Sequence, residues 1–369
     1  MSQPINFTRI VLNSRPVGDI EPQTFRPEQV SFASLKQKLG DNDVFVQVTW
    51  LSLDPAMRGW LRDVRSYLPP VQIGEVMRAS GLGIVIAKGK KSKLPIGQLV
   101  TGTVGMTLSA LFLISTNFES LYHSGWTEYA VLPEKHVTPI NVPKGIQDID
   151  FLNNIGMAGF TAYFGLKDVG NLRPGETLVV SGAAGAVGSL VCQLGKSMGA
   201  KVYAIAGSKD KCSWLVDEIG VDAAFNYKQK GWEEDFKKQV GYLDVYFDNV
   251  GGDILDFCLT RLKKDARIVL CGAISAYNSA KPKGLQNYLT LIAMRAKIQG
   301  FIVFDYENRY PEAVQVISKG LIDGSIKRKF HIVEGLEKAP EALPLLFSGG
   351  NTGKLVVKVA DPKDVRAKL

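Results

Sequence analysis

A glycine-rich turn at residues 181–188, SGAAGAVG, constrains the fold more than any other feature of this 369-residue chain. It lies between a continuous β-branched run at residues 177–181 and a helical pattern over residues 186–198. Glycines in such a turn let the backbone approach a pyrophosphate, whose charge lies at the amino terminus of the helix. The spacing G-x-x-G-x-x-G departs from the usual G-x-G-x-x-G, so the flanking strand and helix support the prediction of a dinucleotide site. The residues expected to line the pyrophosphate are Gly182, Gly185, Ala186, Val187 and Gly188.

The second half of the chain alternates between short apolar runs and longer helical patterns. Strands are expected at residues 177–181, 201–206, 223–227, 244–248, 267–271 and 298–303. Helices are expected at residues 186–198, 209–219, 254–262 and 285–295. Strands that alternate with helices form a parallel sheet with right-handed crossovers. This half therefore predicts an α/β fold, a doubly wound Rossmann domain.

The first 140 residues have a different pattern. Short strands are expected at residues 44–49, 83–86, 99–103 and 128–131, and Gly/Pro-rich turns separate them. This pattern predicts an irregular, mostly β domain. A further strand at residues 354–359 leaves open whether the end of the chain rejoins that domain.

The end of the second predicted strand of the α/β half indicates which dinucleotide is used. Folds that prefer NAD place an acidic residue there to bind the ribose hydroxyls. This chain has Ala206 and Gly207, followed by Ser208, Lys209 and a second lysine, Lys211. A small residue followed by a hydroxyl and two lysines suits a 2′-phosphate, and Lys211 is the better candidate of the two. We therefore expect NADPH; the alternative is that both lysines are the exposed first turn of a helix.

The sequence offers no set of zinc ligands. Catalytic zinc needs about three protein ligands, and structural zinc usually needs about four closely spaced thiolates. The cysteines are Cys192, Cys212, Cys258 and Cys271, and the histidines are His123, His136 and His331. No close Cys-x-x-Cys spacing occurs, which also speaks against a disulfide framework and fits a reducing compartment. We expect zinc-independent chemistry that relies on a cofactor and on hydroxyl or amide donors.

Charge and hydropathy argue against a nucleic acid or a membrane as a partner of the chain. The net charge of +8 is dispersed, and the densest basic runs, at residues 88–93 and 327–329, lack interleaved aromatic residues, so we expect no nucleic acid. Residues 106–118 are strongly apolar but are interrupted by polar residues and fall short of the roughly 20 apolar residues that span a bilayer. A buried or partner-facing helix is expected there rather than a membrane anchor. The amino terminus lacks a signal pattern, so cytoplasm is the expected location.

Several motifs together resemble one family. They are LSLDPAMRG at 51–59, GFTAY at 159–163, AAFNY at 223–227, YFDNVGG at 246–252, CGAISAYN at 271–278, GFIV at 300–303 and GK at 353–354. The chain resembles, over almost its whole length, the prostaglandin reductase / alkenal double-bond reductase (leukotriene 12-hydroxydehydrogenase-like) branch of the zinc-independent medium-chain dehydrogenase/reductases. The resemblance implies a GroES-like catalytic domain over residues 1–140, completed by about residues 335–369, a Rossmann domain over 141–334, and a cytosolic homodimer.

The resemblance also implies an activity and a cofactor site. The activity is NADPH-dependent reduction of the carbon–carbon double bond of α,β-unsaturated aldehydes or ketones. Lys211 and Tyr227 would hold the 2′-phosphate end, and Asn249 would support the ribose or nicotinamide side. The remaining implied contacts are Cys271, Gly272, Ala273, Ile274, Ser275 and Tyr277 along the cofactor, Phe301, Ile302 and Val303 beside the nicotinamide, and Asn351 from the last loop.

Two tyrosines compete for the role of proton donor. Hydride transfer to the β-carbon develops negative charge on the carbonyl oxygen, where a hydroxyl donor stabilises the transition state. Tyr67 matches the loop tyrosine of the family, and Tyr277 is the rival; the alternative for each is an aromatic wall of the pocket. We interpret Arg58 as a structural ion-pair or loop-anchoring residue rather than a catalytic one. Two other functions remain open: a quinone reductase, and a non-catalytic cofactor-binding homologue such as the related lens crystallins.

One segment departs from the family pattern. Relatives run almost directly from a strand like residues 99–104 into Gly-Trp-x-Glu-Tyr, whereas here residues 106–124 separate Gly105 from Gly125. Three explanations stay open: a lid or interaction helix, a lineage-specific loop, or translated intron sequence.

Overall fold

The structure is a computed structural model that describes residues 5–102 and 125–369. The departure from the family pattern at residues 106–124 lies outside the described residues. The strands are β1 (Asn6–Leu12), β2 (Phe25–Ser31), β3 (Asp43–Ser52), β4 (Gly81–Lys88), β5 (Leu99–Gly102), β6 (Tyr129–Pro133), β7 (Thr138–Pro139), β8 (Thr177–Ser181), β9 (Lys201–Ala206), β10 (Ala223–Asn226), β11 (Leu243–Asp248), β12 (Leu262–Leu270), β13 (Lys297–Gly300), β14 (Phe330–Glu334) and β15 (Lys354–Lys358).

The α-helices vary from single turns to about four turns. They are α1 (Phe32–Gln37), α2 (Met57–Trp60), α3 (Met157–Phe164), α4 (Ala186–Ser197), α5 (Lys209–Trp214), α6 (Trp232–Gln239), α7 (Gly252–Leu259), α8 (Thr290–Met294), α9 (Tyr310–Asp323), α10 (Ala339–Ala342), α11 (Leu345–Ser348) and α12 (Pro362–Ala367). The predicted helix over residues 209–219 begins as α5 and continues as a π-helical turn, Leu215–Ile219, that ends at Gly220 in the left-handed conformation.

The α/β half is a parallel sheet of six strands in the order β10-β9-β8-β11-β12-β13 among the described residues. The order reverses between β8 and β11, and in such sheets ligands bind outside the carboxyl ends of the strands at that reversal. Both central strands are buried, because helices cover the two faces of the sheet. The predicted doubly wound Rossmann fold is confirmed.

The predicted mostly β, GroES-like domain is also confirmed. Its described strands form the order β14-β15-β3-β4-β5-β7, and β6 pairs with β3. The last strand of the chain, β15, lies antiparallel to β3, with Val356 opposite Ser52. A separate hairpin-like pair, β1 and β2, packs beside this sheet, and the sequence patterns did not predict it.

Two predicted elements near the end of the α/β half were wrong in extent. The helix expected over residues 285–295 is only α8, because the Asp256 carboxylate accepts hydrogen bonds from the backbone N–H groups of Gln286 and Asn287 and holds that stretch as a loop. The strand expected over residues 298–303 ends at Gly300, and Val303 begins a 3₁₀ helix, Val303–Arg309.

Candidate active site

A cavity of about 580 Å³ lies at the carboxyl edge of the parallel sheet. Its walls include Ala206 at the end of β9, Asn249 after β11 and Cys271 after β12. The mostly β domain contributes Ser80 and Lys354 to the same cavity. The cavity therefore occupies the position where a doubly wound sheet binds its ligand, and both domains line it.

The glycine turn forms part of the cavity wall. Gly182 has a φ of +57°, which favours glycine, and a Cβ on Gly188 would clash with the Gly182 carbonyl oxygen. The absence of that Cβ lets α4 begin directly against the turn. Within the described residues, no acceptor takes the backbone N–H groups of Ala186, Val187 or Gly188. These donors at the amino terminus of α4 are suited to a phosphate.

A buried hydrogen-bond network fixes Asn249 at the reversal of strand order. The Asn249 amide donates to the Ser181 carbonyl oxygen at 2.8 Å, and its backbone N–H donates to Ser181 Oγ at 3.0 Å. Ser181 Oγ donates in turn to Asp248 Oδ1 at 2.7 Å, which also accepts from the Tyr246 hydroxyl at 2.9 Å. Burial raises the pKa of the Asp248 carboxyl. Sequence reasoning missed this network, although Asp248 lies within the YFDNVGG motif.

Two lysines line the cavity beside Ala206, the last residue of β9. Lys211 Nζ donates to the Gly349 carbonyl oxygen at 2.8 Å, and burial, followed by the charge of Lys228, lowers the pKa of Lys211. Lys228 lies over the Tyr227 ring, with Nζ 5.9 Å from the ring centroid, and was not predicted. The predicted residue Ser208 lies at the N-cap of α5, where its Oγ accepts from the Lys211 backbone N–H.

Both candidate proton donors lie on the cavity. Tyr67 is 40% exposed, and its ring centroid is 6.2 Å from that of Phe304. The Tyr277 hydroxyl accepts from the Ala273 backbone N–H at 3.2 Å. Burial raises the pKa of both tyrosines, so each keeps its proton at neutral pH. Burial also raises the pKa of the Cys271 thiol, to about 12.

The structure brings most of the predicted site residues to this one cavity. Ser208 and Ala273 lie next to it, in the contacts given above. Asn351 donates to the Gly353 carbonyl oxygen at 3.0 Å, and the Gly353 N–H donates to the Ala184 carbonyl oxygen at 2.8 Å, which holds the last loop against the glycine turn. The predicted residues on the cavity wall are Tyr67, Gly182, Gly185, Ala186, Val187, Gly188, Lys211, Tyr227, Asn249, Cys271, Gly272, Ile274, Ser275, Tyr277, Phe301, Ile302, Val303 and Asn351.

Sequence reasoning missed an ion pair between a buried lysine and a partly exposed aspartate on the cavity wall. Lys354 is 1% exposed, and its Nζ donates to the Leu53 carbonyl oxygen at 3.1 Å and pairs with the Asp54 carboxylate. Both residues belong to motifs that were matched to the family without a role. The pair joins β15 to the loop after β3 and so braces the cavity wall.

The rest of the wall near the tyrosines is largely apolar. It combines aromatic and aliphatic side chains from three segments of the chain, so it suits an apolar ligand group. These residues are Trp60, Phe304, Tyr310, Leu346 and Phe347.

Arg58 lies away from this cavity. Its Nη2 donates to the carbonyl oxygens of Pro16 and Gly18 at 3.0 and 2.7 Å, and its Nε donates to Asn278 Oδ1 at 3.0 Å. These contacts tie α2 to an early loop and to the segment that follows Tyr277.

Neither a metal cluster nor a membrane span occurs in the described ranges 5–102 and 125–369. No group of at least three His, Cys, Asp or Glu residues there is placed to hold a metal ion. No helix in the same ranges is long and apolar enough to cross a membrane.

Comparisons with known proteins agree with the two-domain fold described above. The family described as the N-terminal domain of oxidoreductase matches residues 8–116, and the family described as zinc-binding dehydrogenase matches residues 186–319. The NADP(+)-dependent 2-alkenal reductase of Nicotiana tabacum is 34% identical over 98% of this chain and 99% of its own. Prostaglandin reductase 1 of Bos taurus is 36% identical over 87% and 90%. The crystal structure of CurA from Vibrio vulnificus in complex with NADPH is 35% identical, covers 96% of this chain and all of its own, and has a TM-score of 0.84.

Proposed function

The chain belongs to the medium-chain dehydrogenase/reductases, in their prostaglandin reductase and alkenal reductase branch, and we propose that it reduces the carbon–carbon double bond of an α,β-unsaturated aldehyde or ketone. It is an NADP-dependent oxidoreductase. The observation that carries the finer proposal is the placement of two protonated tyrosines, Tyr67 and Tyr277, on the cavity that the glycine turn opens into. The proposed partners are a small enone or alkenal and a second copy of the chain.

The residues present fit NADPH. The unpaired N–H groups at the start of α4 suit the pyrophosphate of NADPH. Because Gly188 has no side chain, α4 begins close to Gly182, and no side chain at position 188 separates these N–H groups from the pyrophosphate. Lys211 and Lys228 place two positive charges at the adenosine end, where NADPH carries its additional phosphate. When bound, NADPH supplies the hydride that reduces the β-carbon of the substrate.

The chain's own residues stabilise the negative charge that develops on the substrate. As the β-carbon is reduced, negative charge develops on the substrate carbonyl oxygen, and a hydroxyl donor aimed at that oxygen lowers the barrier. We assign this donation to Tyr67, because it projects from a loop onto the cavity and its hydroxyl remains protonated at neutral pH. The Tyr277 hydroxyl already accepts the Ala273 N–H, which fixes its position beside the cofactor-facing loop.

The apolar wall supports a substrate with a hydrophobic substituent. Trp60, Phe304 and Phe347 line the cavity, and desolvation by such side chains strengthens the hydrogen bond from Tyr67 to a developing oxyanion. The nearby charges of Lys354 and Asp54 neutralise each other in their ion pair. The apolar part of the wall suits the hydrophobic substituent of an enone.

A substrate panel tests the proposal. The purified chain is incubated with NADPH and an alkenal, an enone, a quinone or the matching saturated aldehyde, and NADPH consumption is followed by absorbance. We expect turnover with the alkenal and the enone, saturated products, and deuterium at the β-carbon when deuterated NADPH is used. Turnover with the quinone alone would identify a quinone reductase, and NADPH binding without any turnover would identify a non-catalytic homologue.

We propose that two copies of the chain associate at the edge of the parallel sheet. Strand β13 ends the described sheet on one side, and the adjoining segment exposes Tyr288, Leu289 and Ile292, of which Ile292 is 73% exposed. An unpaired strand edge beside exposed apolar side chains is a ready site for pairing with a second chain.

We further propose a cytoplasmic location. All four cysteines are free. Cys271 lines the cavity, and its thiol stays protonated at neutral pH. Unpaired cysteines are typical of a reducing compartment.

A further inference from the structure

The loop that carries Tyr67 is fastened to the Trp60 main chain and to the buried Arg78 side chain, and we propose that the side chains of Trp60 and Arg78 position the Tyr67 hydroxyl and favour release of its proton. This inference rests on the proposed function, in which Tyr67 is the proton donor. Trp60 ends α2, and Arg78 precedes β4, so the two residues hold the loop from both of its ends.

Two hydrogen bonds fix the loop just after Tyr67. Arg78 Nη1 donates to the Pro69 carbonyl oxygen at 2.9 Å. The Val71 N–H donates to the Trp60 carbonyl oxygen at 2.8 Å. Because Pro69 is followed by a second proline, the fastened stretch has few backbone conformations available. The backbone just after Tyr67 is therefore held by the Arg78 side chain and the Trp60 main chain.

The indole N–H of Trp60 is a hydrogen-bond donor without an acceptor among the described residues, on the same cavity as Tyr67. Trp60 is 8% exposed and lines the same cavity as Tyr67, and its indole Nε1 satisfies no acceptor at full hydrogen-bond geometry in the described structure. The proximity of the indole lowers the pKa of Tyr67. A buried donor without an acceptor is costly, and this cost is relieved when the Tyr67 oxygen gains negative charge. The indole N–H is thus available to donate a hydrogen bond to the Tyr67 oxygen as the proton leaves.

Arg78 places a positive charge behind the indole. It is 2% exposed, its guanidinium carbon lies 5.7 Å from the Trp60 ring centroid, and no carboxylate of the described residues forms a salt bridge with it. A cation over an indole ring at this distance is a favourable contact. The Arg78 charge lowers the pKa of Tyr67, whereas burial, Asp54 and Cys271 raise it, and Tyr277 also faces Tyr67. Arg78 therefore opposes the groups that hold the proton on Tyr67.

Variants in two backgrounds test this inference. Arg78→Met and Trp60→Phe are made in the natural chain and in Tyr67→Phe, and the dependence of kcat on pH is measured with NADPH and an enone. In the natural chain we expect kcat to fall about tenfold while the KM for NADPH changes less than about twofold. Loss of the Arg78 charge raises the pKa of Tyr67, so the alkaline limb of kcat moves to higher pH. In the Tyr67→Phe background neither change lowers kcat further, because the group they act on is absent.

Two controls separate positioning from a merely structural role. Arg78→Lys keeps the charge and is expected to restore the alkaline limb. Trp126→Phe removes another buried indole N–H that satisfies no acceptor in the described structure, yet Trp126 lies outside the cavity, so kcat and its pH profile stay as in the natural chain. Thermal melting and NADPH binding check that each variant is folded.

Equal loss of kcat in both backgrounds, or an unmoved alkaline limb in a folded Arg78→Met chain, overturns the inference. A second measurement needs no turnover: the phenolate absorbance of Tyr67, taken as the difference between a chain with Tyr67 and its Tyr67→Phe counterpart, is titrated with and without Arg78→Met. A higher pKa of Tyr67 without the Arg78 charge supports the coupling, and an unchanged pKa refutes it. If the natural chain reduces no enone, the proposed function fails while this titration still decides the coupling.

Discussion

Replacement of Lys211 by alanine separates the binding of NADPH from that of NADH. Lys211 Nζ donates one hydrogen bond, to the Gly349 carbonyl oxygen, which leaves about two of the ammonium donors for a phosphate. Lys211 lines the cavity together with Lys228 and Tyr227, at the end that we propose holds the adenosine 2′-phosphate. NADH lacks the 2′-phosphate, so it does not use these donors.

The magnitude follows from the kind of bond lost. A hydrogen bond between charged partners contributes about 1.5–3 kcal/mol. At about 1.4 kcal/mol per tenfold change, Lys211→Ala is expected to raise the Kd of NADPH by about 10- to 150-fold. The Kd of NADH is expected to change by less than about threefold, since only the Gly349 contact is lost.

The pH dependence provides an independent check. Burial lowers the pKa of Lys211 in the free protein, and a bound phosphate raises it again, so binding takes up a proton at alkaline pH. The Kd of NADPH therefore rises as the pH increases through the pKa of Lys211, and it also rises below about pH 6, where a phosphate monoester gains its second proton. Neither change is expected for NADH.

Fluorescence titration of both nucleotides against the natural chain, Lys211→Ala and Lys209→Ala measures these effects. Lys209 lies on the same helix, α5, but is exposed outside the cavity, so its replacement should leave both Kd values nearly unchanged. An equal loss of NADPH and NADH affinity in Lys211→Ala would refute the assignment of the 2′-phosphate to this lysine.

Three further predictions concern turnover, packing and association. Tyr67→Phe should lower kcat by about 100-fold or more with little change in NADPH affinity, measured by steady-state kinetics and titration; unchanged turnover would remove Tyr67 as the donor. Gly188→Ala should destabilise the chain by about 1–3 kcal/mol and weaken NADPH binding, because its Cβ would meet the Gly182 carbonyl oxygen. Chemical unfolding checks this against Gly284→Ala, whose Cβ would meet no described atom within 4 Å. Ile292→Glu should convert a dimer to a monomer by light scattering, and a monomeric natural chain would contradict the proposed association.

The α/β half could be predicted because its buried parallel strands are continuous apolar runs followed by turn residues. The strand at Thr177–Ser181 was placed correctly from such a run. The short helix α8 was not, because its start is set by the side chain of Asp256, about thirty positions earlier, and local periodicity carries no sign of that contact. The predicted domain boundaries at residues 140 and 334 stay predictions.

The site was predictable only where a local motif carries it. The glycine turn is such a motif, since its strand, turn and helix are consecutive. Lys228 and the Asp54–Lys354 pair were missed because each depends on chain segments that meet only in the folded protein. The roles of Tyr67 and Tyr277 stay predictions, since their placement on the cavity does not distinguish a donor from a wall residue.

The pairing of β3 with β15 has a consequence for synthesis of the chain. Residues 43–47 of β3 pair with residues 129–133, but residues 50–52 pair with residues 356–358 and have no other partner strand on that side among the described residues. At about 5–20 residues per second, a ribosome makes these two segments roughly 15–60 s apart. Throughout that interval the partly made β sheet exposes a hydrophobic edge, and the α/β sheet has all of its strands once residue 300 is made, before β15, so it can close first. The region that leaves the ribosome first is therefore the last to be finished, and it is the part of the nascent chain most in need of protection from aggregation.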